Sequence, residues 1–342
     1  MPGDRDLLAV TARAIPVPGP ARIGRRDRTE GSPVLLVLRG LGLGDLLTSV
    51  PALRGLRRAF PGHRIVLAAP SALRELLPLI GAVDDLADTP ETAVATGRIT
   101  VDRPAVAVNL HGSGPQSIAA LRRVRPGALL SHAHPAFPDV PGPPWRDRLH
   151  EVLRWCALLG WHGIAADPSE LRIRVPRRRH AAADVVVHPG AASAARRWPP
   201  ERYAAVAGAL SRTGRRVVVT GTAAEATTAG QVAKLAGLHG DAVLAGRTGL
   251  AELAGLIGDA RLVICGDTGV AHLATALGTA SVVLFGPTPP ALWGPPPGRS
   301  HVALWAGRRG DPHGGEPDPG LLAIDAGQVF DAARNLLERS VR

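Results

Sequence analysis

The chain is predicted to be an α/β protein built from two doubly wound domains, and three observations predict it. Short Val- and Leu-rich runs alternate with helix-length segments, the signature of βαβ units and a parallel sheet. The alternation comes as two series separated by an Arg-rich passage at 167–183. A length of 342 residues, 45% of them hydrophobic, suits two domains with a core each. Right-handed crossovers follow. Two such sheets are expected to face each other across a cleft, with ligands at the carboxyl ends of their strands.

The first series occupies 33–166. Val34–Leu38 is a continuous apolar run with a Gly-rich exit, a strand buried on both faces. Asp45–Phe60 carries Leu46, Leu47, Val50, Leu53 and Leu56 at helical spacing, and Pro51 should kink or restart that helix. Strands are expected at Ile65–Ala69, Val83–Leu86, Ala105–Leu110 and Ala128–Ser131. Helices are expected at Ala72–Leu79, Gln116–Arg123 and Arg146–Leu159. The second series occupies 184–342. Its predicted strands are Val185–Val187, Arg216–Thr220, Ala242–Leu244, Leu262–Cys265 and Ser281–Phe285. Its predicted helices are Pro200–Arg212, Ala223–Leu238, Leu250–Gly258 and Val270–Leu277. Residues 1–32 read as a flexible tail, and 167–183 as the linker.

Composition narrows the function classes. The net charge is +11, but Lys234 is the only lysine among 40 basic residues. Such Arg, Ala, Gly and Pro usage reads as compositional bias, and basic residues interleaved with aromatic ones are missing, so nucleic-acid binding is not expected. Cys156 and Cys265 sit singly in apolar runs and read as buried free thiols of a reducing compartment. The sequence shows neither a membrane-length apolar run nor a compact secretory leader, which together predict a cytoplasmic protein; a monomer is expected. Arg54, Arg57, Arg58, Arg122 and Arg123 leave open peripheral contact with an anionic membrane surface, against a bland reading as solvated helix faces.

Four strand-end loops carry the chemistry. Arg39-Gly40-Leu41-Gly42-Leu43-Gly44-Asp45 leaves the first strand and opens the first helix. It is not the dinucleotide fingerprint, because an acidic residue stands where a pyrophosphate would need room and amides. Asp45 is either a first-turn residue satisfying the helix dipole or a general base at the mouth of the cleft, with Gly42 and Gly44 forming the loop beside it. The second loop is His188-Pro189-Gly190-Ala191-Ala192-Ser193, followed by Arg196-Arg197-Trp198-Pro199. Small residues expose amides there and Arg196 offers a planar donor fork, a phosphate site or else a solvated surface turn.

The third loop, Gly266-Asp267-Thr268-Gly269-Val270-Ala271-His272, feeds a helix whose first amides point at an anion. His272 is a site residue or a packed core histidine. The fourth, Phe285-Gly286-Pro287-Thr288-Pro289-Pro290, is a rigid turn or a pocket wall. No metal motif and no nucleophile elbow is found. The chemistry therefore falls to a carboxylate and electropositive stabilisation.

These stretches together resemble glycosyltransferase family nine, the ADP-heptose:lipopolysaccharide heptosyltransferases. The resemblance is carried by L-G-D-L-L-T-S-V-P-A-L-R at 43–54, H-P-G-A with R-R-W-P at 188–199, and G-D-T-G-V-A-H-L-A-T-A-L-G with V-L-F-G-P-T-P-P at 266–290. It implies a GT-B architecture of two Rossmann-like domains, acceptor on the first and donor on the second. It implies Asp45 as general base, and Ser193, Arg196, Thr268 and Gly269 at the donor diphosphate. Asp267, His272 and Glu225 fall near the donor sugar and nucleoside, and 246–250 borders the base. The activity implied is inverting, metal-independent transfer of a heptose or related sugar from a nucleotide-sugar co-substrate, ADP-linked in the family, to a glycan, glycolipid or other hydroxyl acceptor; whether the protein works peripherally at the inner face of the membrane is left open. No other cofactor is expected. Ala191 and Ala192 replace hydroxyl residues found in some members, and the cysteines that many members carry before a C-L-x-x-I segment are missing around 320–324. Rival readings of the same architecture are a sugar-nucleotide epimerase and a non-catalytic nucleotide-sugar-binding protein.

Overall fold

The computed structural model describes residues 31–176 and 183–339. The chain divides into two compact units at Leu171 and Arg172. The tail expected over 1–32, apart from Gly31 and Ser32, lies outside the described residues, as does 177–182 of the expected linker.

The first unit holds β1 (Val34–Leu38), β2 (Arg64–Ala69), β3 (Asp85–Asp88), β4 (Val106–Asn109) and β5 (Ala128–Leu130). All pair in parallel, in the order β3-β2-β1-β4-β5. The order reverses between β1 and β4, so their exits flank the switch point where doubly wound sheets take ligands. Leu35, Leu36, Val37 and Leu38 are fully buried, as an unbroken apolar run between two helical layers requires. The expected helix after β1 is two helices, Leu43–Thr48 and Val50–Ala59. Pro51 lacks the amide to continue the ladder, and Ser49 closes the first helix with its amide and hydroxyl on the Leu46 carbonyl.

The helix expected over Arg146–Leu159 begins five residues later, at Glu151–Trp161. His150 is extended and its ring accepts the Val152 amide. The Arg146 and Leu149 carbonyls are taken by the Arg154 guanidinium, at 2.7 and 2.9 Å. The short helix Glu91–Thr96 has too little apolar periodicity to announce itself.

The second unit holds β6 (Val185–His188), β7 (Val217–Val219), β8 (Leu262–Gly266), β9 (Ala280–Phe285) and β10 (His301–Trp305). Again all are parallel, ordered β10-β9-β8-β6-β7. The switch point here lies between β6 and β8. Helices Pro200–Arg212, Ala226–Leu235, Leu250–Asp259, Gly269–Leu277 and Ala326–Arg339 accompany the sheet. Trp198, Tyr203, Leu262, Ile264, Val329 and Leu336 belong to one buried cluster. The strand expected at Ala242–Leu244 reduces to a single bridge between Val219 and Val243. A 3₁₀ turn at Gly240–Ala242 and the Arg247 amide on the Leu244 carbonyl consume its ends. Among the described residues no helix is long and apolar enough to cross a membrane.

Candidate active site

Two groups of side chains collect at the two switch points. In the first unit, β1 is followed by Arg39, whose side chain is 1% exposed. Its Nη1 donates to the Leu110 carbonyl, just past β4, at 2.6 Å, bridging the crevice between the two strand exits. Its Nε donates to the Asp45 carbonyl and its Nη2 to Asp45 Oδ1, both at 3.0 Å. Nη2 also reaches Glu151 Oε1 at 2.8 Å.

Gly40 lets the chain turn past Val94 and the Thr89 carbonyl, each within 3.0 Å of where a Cβ would stand. Gly42 is the exposed N-cap, Gly44 lies in the first turn, and Asp45 follows with its side chain one-quarter exposed. Burial raises the Asp45 carboxyl above its ordinary value. Arg39 opposes that rise, Glu151 adds to it, and backbone groups at Gly42 and Asp45 pull it back. The outcome is a carboxylate that is ion-paired, reachable by solvent, and more basic than a free aspartate.

In the second unit the loop after β6 folds over the ends of β8 and β9. A Cβ on Gly266 would stand 3.0 Å from the Arg196 carbonyl, and one on Gly286 would stand 3.2 Å from that of Ala195. The turn is fastened from the far side, where Ala195 donates to Gly314 and Asp318 donates to Ala195. Trp198 anchors its exit by donating to the Ile324 carbonyl at 3.0 Å. Ser193 donates its hydroxyl proton to the Pro312 carbonyl at 2.6 Å and accepts from Arg196 Nε at 3.3 Å. Arg196 Nη1 lies 3.5 Å from the Asp267 carbonyl oxygen.

Thr268 is the extended N-cap of Gly269–Leu277, so first-turn amides open toward the same edge. Asp267 is buried, which pushes its carboxyl up to about 6 against the pull of Arg196. Glu225 closes the 3₁₀ turn Ala223–Glu225 that follows β7. It accepts the Thr222 amide at 2.8 Å and the Thr222 hydroxyl at 3.0 Å, and it overhangs Gly190. His188 is buried against the Thr220 hydroxyl at 3.0 Å; burial lowers its pKa, and the Glu225 charge counters that. His272 is half-buried and meets Trp293 edge-on, ring centroids 5.8 Å apart.

The structure therefore brings Ser193, Arg196, Glu225, Asp267, Thr268 and Gly269 to one edge of one sheet, and sets Asp45 with Gly42 and Gly44 at the switch point of the other. Sequence reasoning missed Arg39 as the partner of Asp45, and Glu151 and Arg154 behind it. Arg39 was visible as the residue directly after an apolar strand, where a buried charge needs a partner. Among the described residues no three His, Cys, Asp or Glu side chains group as metal ligands. The five arginines considered for a membrane contact each meet a partner within the first unit: Arg57 with Asp84, Arg58 with Glu170, Arg122 with Asp139, and Arg54 and Arg123 with the Glu170 and Thr96 carbonyls.

Solved structures share this arrangement of two five-stranded parallel sheets, the GT-B fold. A glycosyl transferase family 9 protein from Veillonella parvula DSM 2008 superposes with TM-score 0.75 at 21% identity, over 92% of this chain and all of that one. ADP-heptose LPS heptosyltransferase II of E. coli gives 0.69 at 20% identity, over 90% and 99%. E. coli heptosyltransferase WaaC with ADP gives 0.66 at 18% identity, over 89% and 99%. No curated protein matches the sequence significantly. The family profile described as glycosyltransferase family 9 (heptosyltransferase) matches residues 146–319, just over half of the chain and nearly all of the loops at the β6–β8 switch point. With its fold and its sequence pattern in agreement, the chain belongs to glycosyltransferase family 9, and it is a glycosyltransferase.

Proposed function

We propose that the enzyme transfers a heptose or related sugar, with inversion and without a metal, from an ADP-linked donor held by the second unit to a hydroxyl of a glycan or glycolipid bound by the first. The observation that carries the reading is the convergence of Arg196 with the open helix start at Thr268 and Gly269 on the β6–β8 switch point. A departing diphosphate gathers negative charge, and a guanidinium plus fixed amides stabilise it without reorganising. Ser193 steadies Arg196 through its hydroxyl oxygen. Glu225, in the turn after β7, suits a ribose hydroxyl, with 246–250 beside the base. Asp267 and His272 suit the donor sugar. ADP bound to WaaC, which shares the fold, supports adenine as the base.

Asp45 takes the proton of the attacking hydroxyl. A carboxylate raised by burial yet one-quarter exposed meets both needs of a base, affinity for the proton and access to it. The attack then comes on the face of the anomeric carbon opposite the diphosphate. A thermal-shift screen of ADP-, GDP-, UDP- and dTDP-sugars, with and without chelator, tests the donor. ADP-sugars should stabilise the protein alone and equally in chelator. The transfer assay that follows should lose about 10²–10⁴ in rate on Asp45→Asn, with donor affinity unchanged. Near-normal turnover by that variant would remove Asp45 from the mechanism.

A further inference from the structure

We infer that Glu151 is a positioning residue for Asp45, acting through Arg39 to keep the carboxylate in place and basic. This rests on the reading of Asp45 as the base.

The two carboxylates share one nitrogen. Arg39 Nη2 lies 3.0 Å from Asp45 Oδ1 and 2.8 Å from Glu151 Oε1. Nη1 and Nε are spent on the Leu110 and Asp45 carbonyls, so the guanidinium has little freedom to turn. Glu151 is fixed in turn. Its Oε1 also accepts from Trp155 Nε1 at 3.0 Å, and its Oε2 accepts from Arg154 Nε at 3.1 Å. Arg154 is pinned by the Arg146 and Leu149 carbonyls and stacks 4.0 Å from the Trp145 ring centroid. The Arg39 guanidinium itself rests 4.8 Å from the Trp155 ring centroid. A row of alternating charge thus runs Arg154, Glu151, Arg39, Asp45, and only its last member reaches solvent substantially.

The row has a purpose for a base. A buried guanidinium facing an aspartate pulls its pKa down and makes it a poorer base, a pull that burial outweighs at Asp45. Glu151 takes half of that guanidinium's attention and adds a negative charge behind it. Both effects favour the protonated form of Asp45, while the hydrogen bonds keep its geometry. Three imidazoles and one hydroxyl also face the row, and the imidazoles are neutral at neutral pH. The Thr48 hydroxyl is neutral. His111 beside Arg39, His132 beside Arg154 and Glu151, and His162 beside His132 are each lowered to about 4 by burial. Arg154 balances Glu151, so the row as a whole carries no net charge.

The test is a carboxyl-carbon NMR titration of Asp45, assigned by difference from Asp45→Asn, alongside the pH dependence of kcat/KM for transfer. Glu151→Gln should move the Asp45 midpoint and the acid limb of the rate profile down together by about one pH unit. Plateau kcat should fall, with donor KM unchanged. Should Glu151→Gln fail to fold, Glu151→Asp, which withdraws the charge by one methylene, should move both in the same direction by less. A midpoint that stays put in a folded variant overturns the role of Glu151 while leaving Asp45 as base. Full activity of Asp45→Asn overturns both.

Discussion

The Glu225 carboxylate lies directly over Gly190, so close that a Cβ on Gly190 would overlap it. The contact joins the loop after β6 to the turn after β7, and Glu225 is held there by the Thr222 amide and hydroxyl. Gly190→Ala should therefore evict Glu225 and break its capping box, lowering stability by about 0.5–2 kcal/mol. If Glu225 binds the ribose, ADP affinity should fall about tenfold, the worth of one hydrogen bond to a charged group. Calorimetry with ADP on Gly190→Ala and Glu225→Gln checks both. Unaltered affinity in the second variant would place the ribose elsewhere.

Arg196 and Asp267 give the proposed donor site opposite charges in close company. Arg196→Ala should weaken ADP binding about 10–100-fold, the range for charge-assisted hydrogen bonds to phosphate. Asp267 adds a pH signature. Burial raises its carboxyl to about 6, and a diphosphate nearby disfavours the carboxylate further. ADP binding should then take up protons near pH 6 and weaken as pH rises through 6 toward 8. Calorimetry in buffers of different ionisation enthalpy reads that uptake. Asp267→Asn should abolish it, and an uptake surviving in that variant would assign the proton to another group.

Much of this was legible in the sequence, and the reason is local. Val34–Leu38, Gln116–Arg123 and Pro200–Arg212 form where their apolar spacing and flanking breakers place them. The loops at 39–45, 188–198 and 266–272 announce themselves because glycine, proline and charge at a strand exit are costly unless used. What stayed hidden depends on partners distant in sequence. Glu151 reads as an ordinary first-turn acid, and only its contact with Arg39, 112 residues away, gives it meaning. His301–Trp305 pairs as the half-buried edge β10, without the alternation that marks a strand. The 310–318 segment carries no periodicity, yet it fastens Ala195 and Ser193.

Three histidines of the first unit should make it acid-sensitive. His111 Nδ1, His132 Nδ1 and His162 Nε2 are buried without hydrogen-bond partners. Burial lowers all three from 6.5 to about 4. Between those values the unfolded chain binds more protons than the folded one, so stability rises with pH through the window and is lost as pH falls from about 6.5 toward 4. Asp45, raised by burial, works in the opposite sense, but one carboxyl stands against three imidazoles. His132 sits edge-on to Trp145 and Trp155, centroids 5.0 and 5.9 Å away. His132→Phe should keep that packing, remove one titrating group and flatten the dependence. Hydrogen exchange across 128–162 at pH 7 and pH 5 measures it. Equal protection at both pH values would mean the rings find proton-accepting partners on folding.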